Sequence, residues 1–308
     1  MSYHIIDISS EGAVVSVKNN QLVCRQKDGE IRQLPLEDVG AVIVNSFSIL
    51  LHNSFLSAAA DAKVAVIVCE RYKPKSVVLP IERGGDTLLT RAQIKASSRL
   101  TEALWMKTID AKVANQFDLL ACLNAADPRL DAFRASMKRS DTFKEGNCAR
   151  IYWDIISEHL HLQDFKRVRE GDGLNSLLNY GYGVLVTRVL QKLLAHGLDP
   201  MYGIGHVVRE RSMPLAYDVM EPFRVAFDWE ILKWVCGQKT DDSPLLVDEA
   251  FKRMTHDIMK TKHPYRESKA CSLERILDAV LKSLRQAFLT GKVTDYRPWI
   301  RRSSRWDG

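Results

Sequence analysis

Near Leu79 the hydrophobic periodicity of this 308-residue chain changes from that of strands to that of helices, so no fold built from one type of element can accommodate it. Before that point, short β-branched runs alternate with turn residues. HIIDI, AVVSV, QLVCR and IRQLPL are separated by Ser9 to Gly12, Asn19-Asn20 and Asp28-Gly29, the last a hairpin signal, and an antiparallel meander is expected. VGAVIV (39–44) and VAVIVC (64–69) are apolar without alternation, which predicts buried strands, and Asn53 to Ala62 between them reads as one short helix covering the sheet. Glu82-Arg-Gly-Gly-Asp86 is a boundary by composition and ends in an acid suited to capping a helix from Thr87. Helical patterns then run over Leu88 to Asn124, Pro128 to Lys138, Lys144 to His159, Leu174 to His196, Val225 to Val235, Leu245 to Lys260 and Cys271 to Thr290. The expected class is α+β: a small β domain, residues 1–85, whose strand edges offer a dimerisation surface, and a larger all-α domain, residues 86–308, with a basic C-terminal end.

A composition of 46% hydrophobic and 27% charged residues is that of a soluble globular chain. No apolar run approaches the roughly 18 residues of a membrane span, and MSYHIIDISS lacks the basic and apolar regions of a signal peptide, so a cytoplasmic location is expected. Six cysteines without a CxxC pair argue against zinc ribbons and redox pairs. Net charge is +6, unevenly placed: residues 1–90 carry 9 Lys and Arg against 10 Asp and Glu, whereas residues 251–308 carry 14 against 6. Trp299 and Trp306 beside Arg297, Arg301, Arg302 and Arg305 offer cations and flat faces that suit nucleic acid; the same residues also fit a frayed, solvated end.

Gly203 to Arg224, GIGHVVRERSMPLAYDVMEPFR, concentrates the chemistry. Pro214 suits a first helical turn, so Leu215 to Glu221 is expected to be helical, with Pro222 bending or ending it. Asp218 and Glu221 then share a face, and two carboxylates there repel unless a cation or proton neutralises them. His206 precedes this helix, and Gly203 and Gly205 let the chain turn to bring its imidazole to the acids. One imidazole with carboxylates suits Mg²⁺ or Mn²⁺ better than structural zinc. Each residue also has a plain role: a structural histidine, a solvated acid pair, and for Arg224 a salt bridge in place of a phosphate contact. In TFKEGNCARIYW, Thr142-x-x-Glu145 matches a capping box, yet Glu145, Cys148, Ala149 and Tyr152 form one stripe that aims the carboxylate inward. In NSLLNYGYG, Asn175, Asn179, Tyr180 and Tyr182 fit packing and hydrogen bonding better than substrate contact.

Together these segments, EGNCARIYW, LNSLLNYGYGVL and GLDPMYGIGHVVRERSMPLAYDVMEPFR, resemble the CRISPR-associated adaptation integrases, the first of the two universal Cas adaptation proteins, in the form found in type II systems. The resemblance covers essentially the whole chain. It implies that Glu145, His206 and Glu221 bind Mg²⁺ or Mn²⁺ and are catalytic, with Asp218 as a further ligand or the support of one. It implies insertion of foreign DNA fragments into a CRISPR array by attack of a DNA 3′ hydroxyl on a repeat phosphodiester. The implied partners are DNA, a second copy of the chain and the small ferredoxin-like second adaptation protein in a heterohexamer, alongside other type II Cas proteins. Arg224, Arg297, Arg301, Arg302 and Arg305 are the expected DNA contacts. Tyr217 lacks the constellation a tyrosine-recombinase nucleophile needs. A metal-dependent nuclease of DNA repair and a noncatalytic DNA-binding scaffold are the alternatives.

Overall fold

A computed structural model of the chain describes residues 4–62, 64–70, 73–78, 87–123, 127–138, 143–162, 165–168, 171–206, 213–238, 245–265 and 269–301. The segment Glu82 to Asp86 and Thr142, given roles above as boundary and cap, lie outside the described residues. The expected meander exists as β2 (Val14–Lys18), β3 (Gln21–Arg25) and β4 (Ile31–Pro35), antiparallel throughout. Asn19 and Asn20 both take positive φ, 51° and 60°, which a two-residue turn matching the strand twist requires and which asparagine tolerates.

The first strand departs from that expectation. β1 (His4–Ile8) leaves the meander and pairs parallel with β5 (Val39–Val44), which pairs parallel with β7 (Ala65–Glu70); β8 (Lys73–Val78) closes this sheet antiparallel. A parallel pair needs a crossover. Here β6 (Leu50–Leu51), paired with β2, and α1 (Asn53–Asp61) supply it, α1 burying Phe55 and Ala59. Successive residues of β5 and β7 face opposite ways. Val42, Val44 and Val66 join Val15, Leu22 and Phe55 in the inter-sheet core, whereas Ile43, Ile67 and Cys69 join the core of the helices. Burial on both faces is why these two runs carry no alternation.

Beyond the sheets the chain is mainly helical, as expected. Leu88 to Asn124 divides into α2 (Thr87–Ile94) and α3 (Ser98–Leu123), because Ser97 caps the second piece, its Oγ accepting the Leu100 N–H at 3.3 Å. α3 runs among α4 (Arg129–Met137), α5 (Phe143–His159), α7 (Pro214–Met220) and α8 (Arg224–Gln238), with α6 (Leu174–Ala195) packed on α7 and α8. α7 ends at Met220, as the proline two positions on leads one to expect, and a 3₁₀ turn containing Pro222, Glu221–Phe223, joins it to α8. α9 (Glu249–Asp257) is capped by Asp248, so the helix expected from Leu245 starts later. A hairpin of β9 (Lys262–Tyr265) and β10 (Lys269–Ser272) then leads into α10 (Leu273–Thr290), so the second part is not entirely α. No helix among the described residues is long and apolar enough to cross a membrane.

An ion cluster ties α6 to α10. Asp278 accepts from Lys192 Nζ at 2.9 Å and lies 2.9 Å from His196 Nε2, and Glu274 reaches Lys192 at 3.0 Å. Burial would raise the Asp278 pKa, but hydrogen bonds from His196 and Lys192 and their charges hold it below its ordinary value. A depressed carboxyl contributes stability that is present above the unfolded pKa and lost as pH falls through the folded one. Asp278→Asn is therefore expected to lower unfolding free energy at neutral pH, with the gap to wild type narrowing as pH drops below about 4. Urea titrations across that range check this; a gap undiminished toward about pH 2 refutes it.

Candidate active site

His206 is placed by a buried carboxylate. Asp218, on α7 and 0% exposed, accepts four hydrogen bonds: Oδ2 takes the N–H groups of Ile204 (2.6 Å) and Gly205 (3.0 Å), and Oδ1 takes the His206 N–H (2.9 Å) and Nδ1 (2.6 Å). A carboxylate only accepts, so Nδ1 carries the proton and Nε2 presents a lone pair when the ring is neutral. The Asp218 hydrogen bond raises the His206 pKa, outweighing partial burial, which lowers it. Trp105 of α3 meets the imidazole edge-on, with centroids 5.4 Å apart. Close approach requires the glycine beside it: a Cβ at Gly205 would lie 2.0 Å from the Trp105 ring. Gly205→Ala is thus expected to displace Trp105 or His206 and cut activity about tenfold or more while the protein still folds, since a roughly 1 Å misplacement costs that much. Paired activity and circular-dichroism measurements check it; wild-type activity would show that the loop absorbs the methyl group.

The two glutamates come from separate elements to one ammonium. Lys112 of α3 contacts Glu145 of α5 and lies 2.7 Å from Glu221 Oε2, and Arg224 Nη2 is 3.2 Å from Glu221 Oε1. Side-chain exposure is 9% for Lys112, 3% for Glu221 and 39% for Glu145, so Glu145 alone of the three opens partly to solvent. Burial would raise the Glu221 pKa, but Arg224 and Lys112, with His206 beyond them, hold it below the ordinary value. Glu221 is steadied from behind as well: Asn115 Nδ2 donates to the Pro222 carbonyl at 2.9 Å.

Among the described residues no three of His, Cys, Asp and Glu are grouped as a ready metal cage. The donor set nevertheless fits a hard divalent cation, since two carboxylates share one cation and an imidazole with an outward Nε2 lies near enough to act electrostatically on Glu221. Asp218 differs, because its oxygens are committed to the loop.

A cavity of about 80 Å³ flanks this cluster, with Lys112, Gln116, Trp153, Arg167, Tyr182 and Arg224 in its wall. Its floor is Asp228, which accepts from Tyr182 OH (2.5 Å) and Tyr152 OH (2.8 Å). Burial pushes Asp228 up to about 6 against the pull of those two hydrogen bonds. Arg167 is held by Asn175 Oδ1 at 2.9 Å and Asn179 Oδ1 at 2.7 Å, so both asparagines hold structure, as expected. Arg224 lies over the Tyr182 ring, 4.7 Å from its centroid.

A family model described as "CRISPR associated protein Cas1" matches residues 6–262. The chain belongs to the Cas1 family. It is 27% identical over 226 residues to the CRISPR-associated endonuclease Cas1 of Neisseria meningitidis serogroup C (strain 8013), covering 72% of each chain. To a CRISPR-associated endonuclease Cas1 of Saccharolobus solfataricus it is 28% identical over 238 residues, 76% of each chain. In fold it is similar to a Cas1 protein from Thermotoga maritima, with a TM-score of 0.76 at 20% identity over 94% of this chain and 97% of that one. A casposase bound to integration product gives a TM-score of 0.77 at 18% identity, covering 100% of this chain and 96% of that one.

Within this Cas1 chain the C-terminal arginines do not form one surface. Arg301 has a side chain 3% exposed and pairs with Asp118 at 2.5 Å, so it belongs to the interior rather than to a DNA-facing tail. Trp299 is likewise 0% exposed, its Nε1 donating to the Pro264 carbonyl at 3.2 Å. Arg297 is exposed, and Arg302 and Arg305, with Trp306, lie outside the described residues. Sequence inspection missed Lys112, Asp228 and Trp105. The available signal for Lys112 was Thr108, Lys112 and Asn115 recurring at helical spacing along a face that also carries Leu104 and Leu119. Polar residues in a core stripe call for partners, but the partners themselves lie on other elements.

Proposed function

We propose that this Cas1-family chain is a DNA integrase that uses Mg²⁺ or Mn²⁺ to join the 3′ end of a foreign DNA fragment to a CRISPR repeat. The observation that carries the proposal is the convergence of Glu145 and Glu221 on one cationic position beside His206. Glu145, Glu221 and His206 Nε2 would hold the cation. Asp218 would orient the ring rather than bind metal, as partners of ligating histidines do. When bound, the cation lowers the pKa of the attacking 3′ hydroxyl and offsets charge gathering on the phosphate oxygens. The bond formed is between that 3′ oxygen and the repeat phosphorus; the repeat's own phosphorus–O3′ bond breaks, and its oxygen leaves as a hydroxyl after taking a proton. Arg224 holds Glu221 in place and, with Lys112 and Arg167, gives the cavity a cationic wall suited to phosphate.

The similar casposase, solved bound to integration product, supports joining over simple cleavage. The fold also resembles part of a Cas6-RT-Cas1–Cas2 complex, with a TM-score of 0.77 at 16% identity over 98% of this chain and 36% of that one, which supports the small second adaptation protein as partner. The type II likeness rests on the motifs alone. Strand transfer decides the matter: purified protein, a fragment and a repeat-bearing plasmid are incubated with Mg²⁺ or Mn²⁺, with and without the partner protein. Joined products support the proposal; cleaved products alone indicate a nuclease, and DNA binding without reaction a scaffold.

The N-terminal sheets are proposed to form a homodimer, two of which flank a dimer of the partner. Phe47, Leu50 and Ile31 support this, being 83%, 65% and 50% exposed on that part of the chain. Light scattering at micromolar concentration is expected to give twice the 35.0 kDa chain mass. A monomer throughout that range would remove the assembly.

A further inference from the structure

We propose that Lys112 is an internal counter-ion which occupies the position between Glu145 and Glu221 and competes with a divalent cation for them, withdrawing into the flanking cavity when the cation binds. This rests on the metal reading given above.

The two carboxylates reach Lys112 from different helices, and all three side chains are held by packed elements, so the ammonium supplies the charge that lets two acids approach with no metal between them. Arg224 adds a second cation on the far oxygen of Glu221. The cluster is then already neutral: Lys112 and Arg224 balance Glu145 and Glu221. A divalent cation entering beside an unmoved Lys112 would meet two positive charges at short range in a shielded site, where such repulsion is strong. One of them must give way. Arg224 is fixed by its contact with the Tyr182 ring and by Glu221, but lysine carries its charge on a four-carbon stem that swings.

There is a place for it to go. The cavity of about 80 Å³ has Lys112 in its wall, large enough for an ammonium and a water or two. Gln116, one turn further along α3 and lining the same cavity, keeps its buried Oε1 without a hydrogen-bond partner among the described residues. Buried acceptors are rarely left so. A Lys112 side chain turned from the carboxylates toward Gln116 would satisfy it, with Asp228 in the same cavity lining to offset the charges of Arg167 and Arg224. Lys112 would thus hold the ligands together without metal and set the concentration of cation needed to load them.

The test is Mn²⁺ binding, followed by the loss of the free-ion electron paramagnetic resonance signal, on the full chain without DNA. Wild type, Lys112→Met, Lys112→Arg and Glu145→Gln are compared. Lys112→Met is expected to bind Mn²⁺ about tenfold more tightly or better, since it removes a unit charge near a divalent one. Lys112→Arg, which keeps the charge, is expected to stay at or below wild-type affinity. Lys112→Gln is read in the same way should the methionine variant fail to fold. Unchanged or weaker binding in the neutral variants, with binding lost in Glu145→Gln, overturns the competition and leaves the metal site standing. Mn²⁺ binding that survives Glu145→Gln removes the metal site itself, and the competition with it.

Discussion

Glu145→Gln is expected to reduce DNA joining by about 100-fold or more at saturating Mg²⁺, while the protein unfolds at nearly the wild-type temperature. The substitution keeps the size of a side chain that is 39% exposed and makes its contact with Lys112 from the edge of the cluster. Glu221 is expected to behave differently. With 3% exposure and both Lys112 and Arg224 as partners, its replacement by alanine leaves Lys112 with Glu145 alone and Arg224 without its carboxylate, and removal of one member of a buried ion pair costs about 3–5 kcal/mol. From the sequence, alanine at Glu145, His206 or Glu221 is expected to spare folding in each case; the buried position of Glu221 corrects this for that residue. His206 is 47% exposed, but its removal leaves the fully buried Asp218 carboxylate with three backbone N–H donors in place of four partners, so a stability loss between those of the Glu145 and Glu221 variants is expected. Strand-transfer rates paired with urea titrations of the three variants separate lost chemistry from lost structure. Near-normal joining by Glu145→Gln would remove it from the proposed catalytic set.

Trp299→Ala is expected to destabilise the protein by about 3–5 kcal/mol, the usual cost of emptying a buried tryptophan site, and to leave any direct effect on DNA affinity undetected once folding is accounted for. Trp299 packs against Phe223 (centroids 5.4 Å apart) and His263 (5.5 Å), and Phe223 belongs to the turn that carries Glu221. The segment around it is bonded along its length. Lys107 donates to the Val293 and Tyr296 carbonyls, Thr108 meets Tyr296 OH at 3.0 Å, and Asn115 binds both the Trp299 carbonyl and the Arg301 N–H. A basic, tryptophan-bearing end therefore serves as a brace for the candidate site. Arg297, exposed, is the position of this segment where phosphate contact is testable: its loss is expected to reduce the slope of log affinity against log salt by about 1 if it touches duplex DNA. Chemical unfolding of Trp299→Ala within about 1 kcal/mol of wild type would return the segment to a surface role.

Local pattern determined what lies close in the chain. Periods of two and of 3.6 residues separate strands from helices, Asn19-Asn20 makes the turn, and the continuous apolar runs of β5 and β7 are legible because each is buried on two faces. The nearness of His206 to Asp218 was legible for the same reason, the two being twelve positions apart with Gly203 and Gly205 just before the histidine. Tertiary structure alone decided the rest. β1 pairs with β5 instead of its neighbour, an outcome set by which edge of which sheet remains open. Lys112 meets an acid 33 positions away and Asn115 an amide 186 positions away, and no local period encodes a partner at such separations. The C-terminal basic residues show the limit most plainly. Charge and aromatic content are properties of a sequence, but whether Trp299 and Arg301 face water or the core depends on the space left between α3 and the Glu221–Phe223 turn, and only packing of distant segments creates that space.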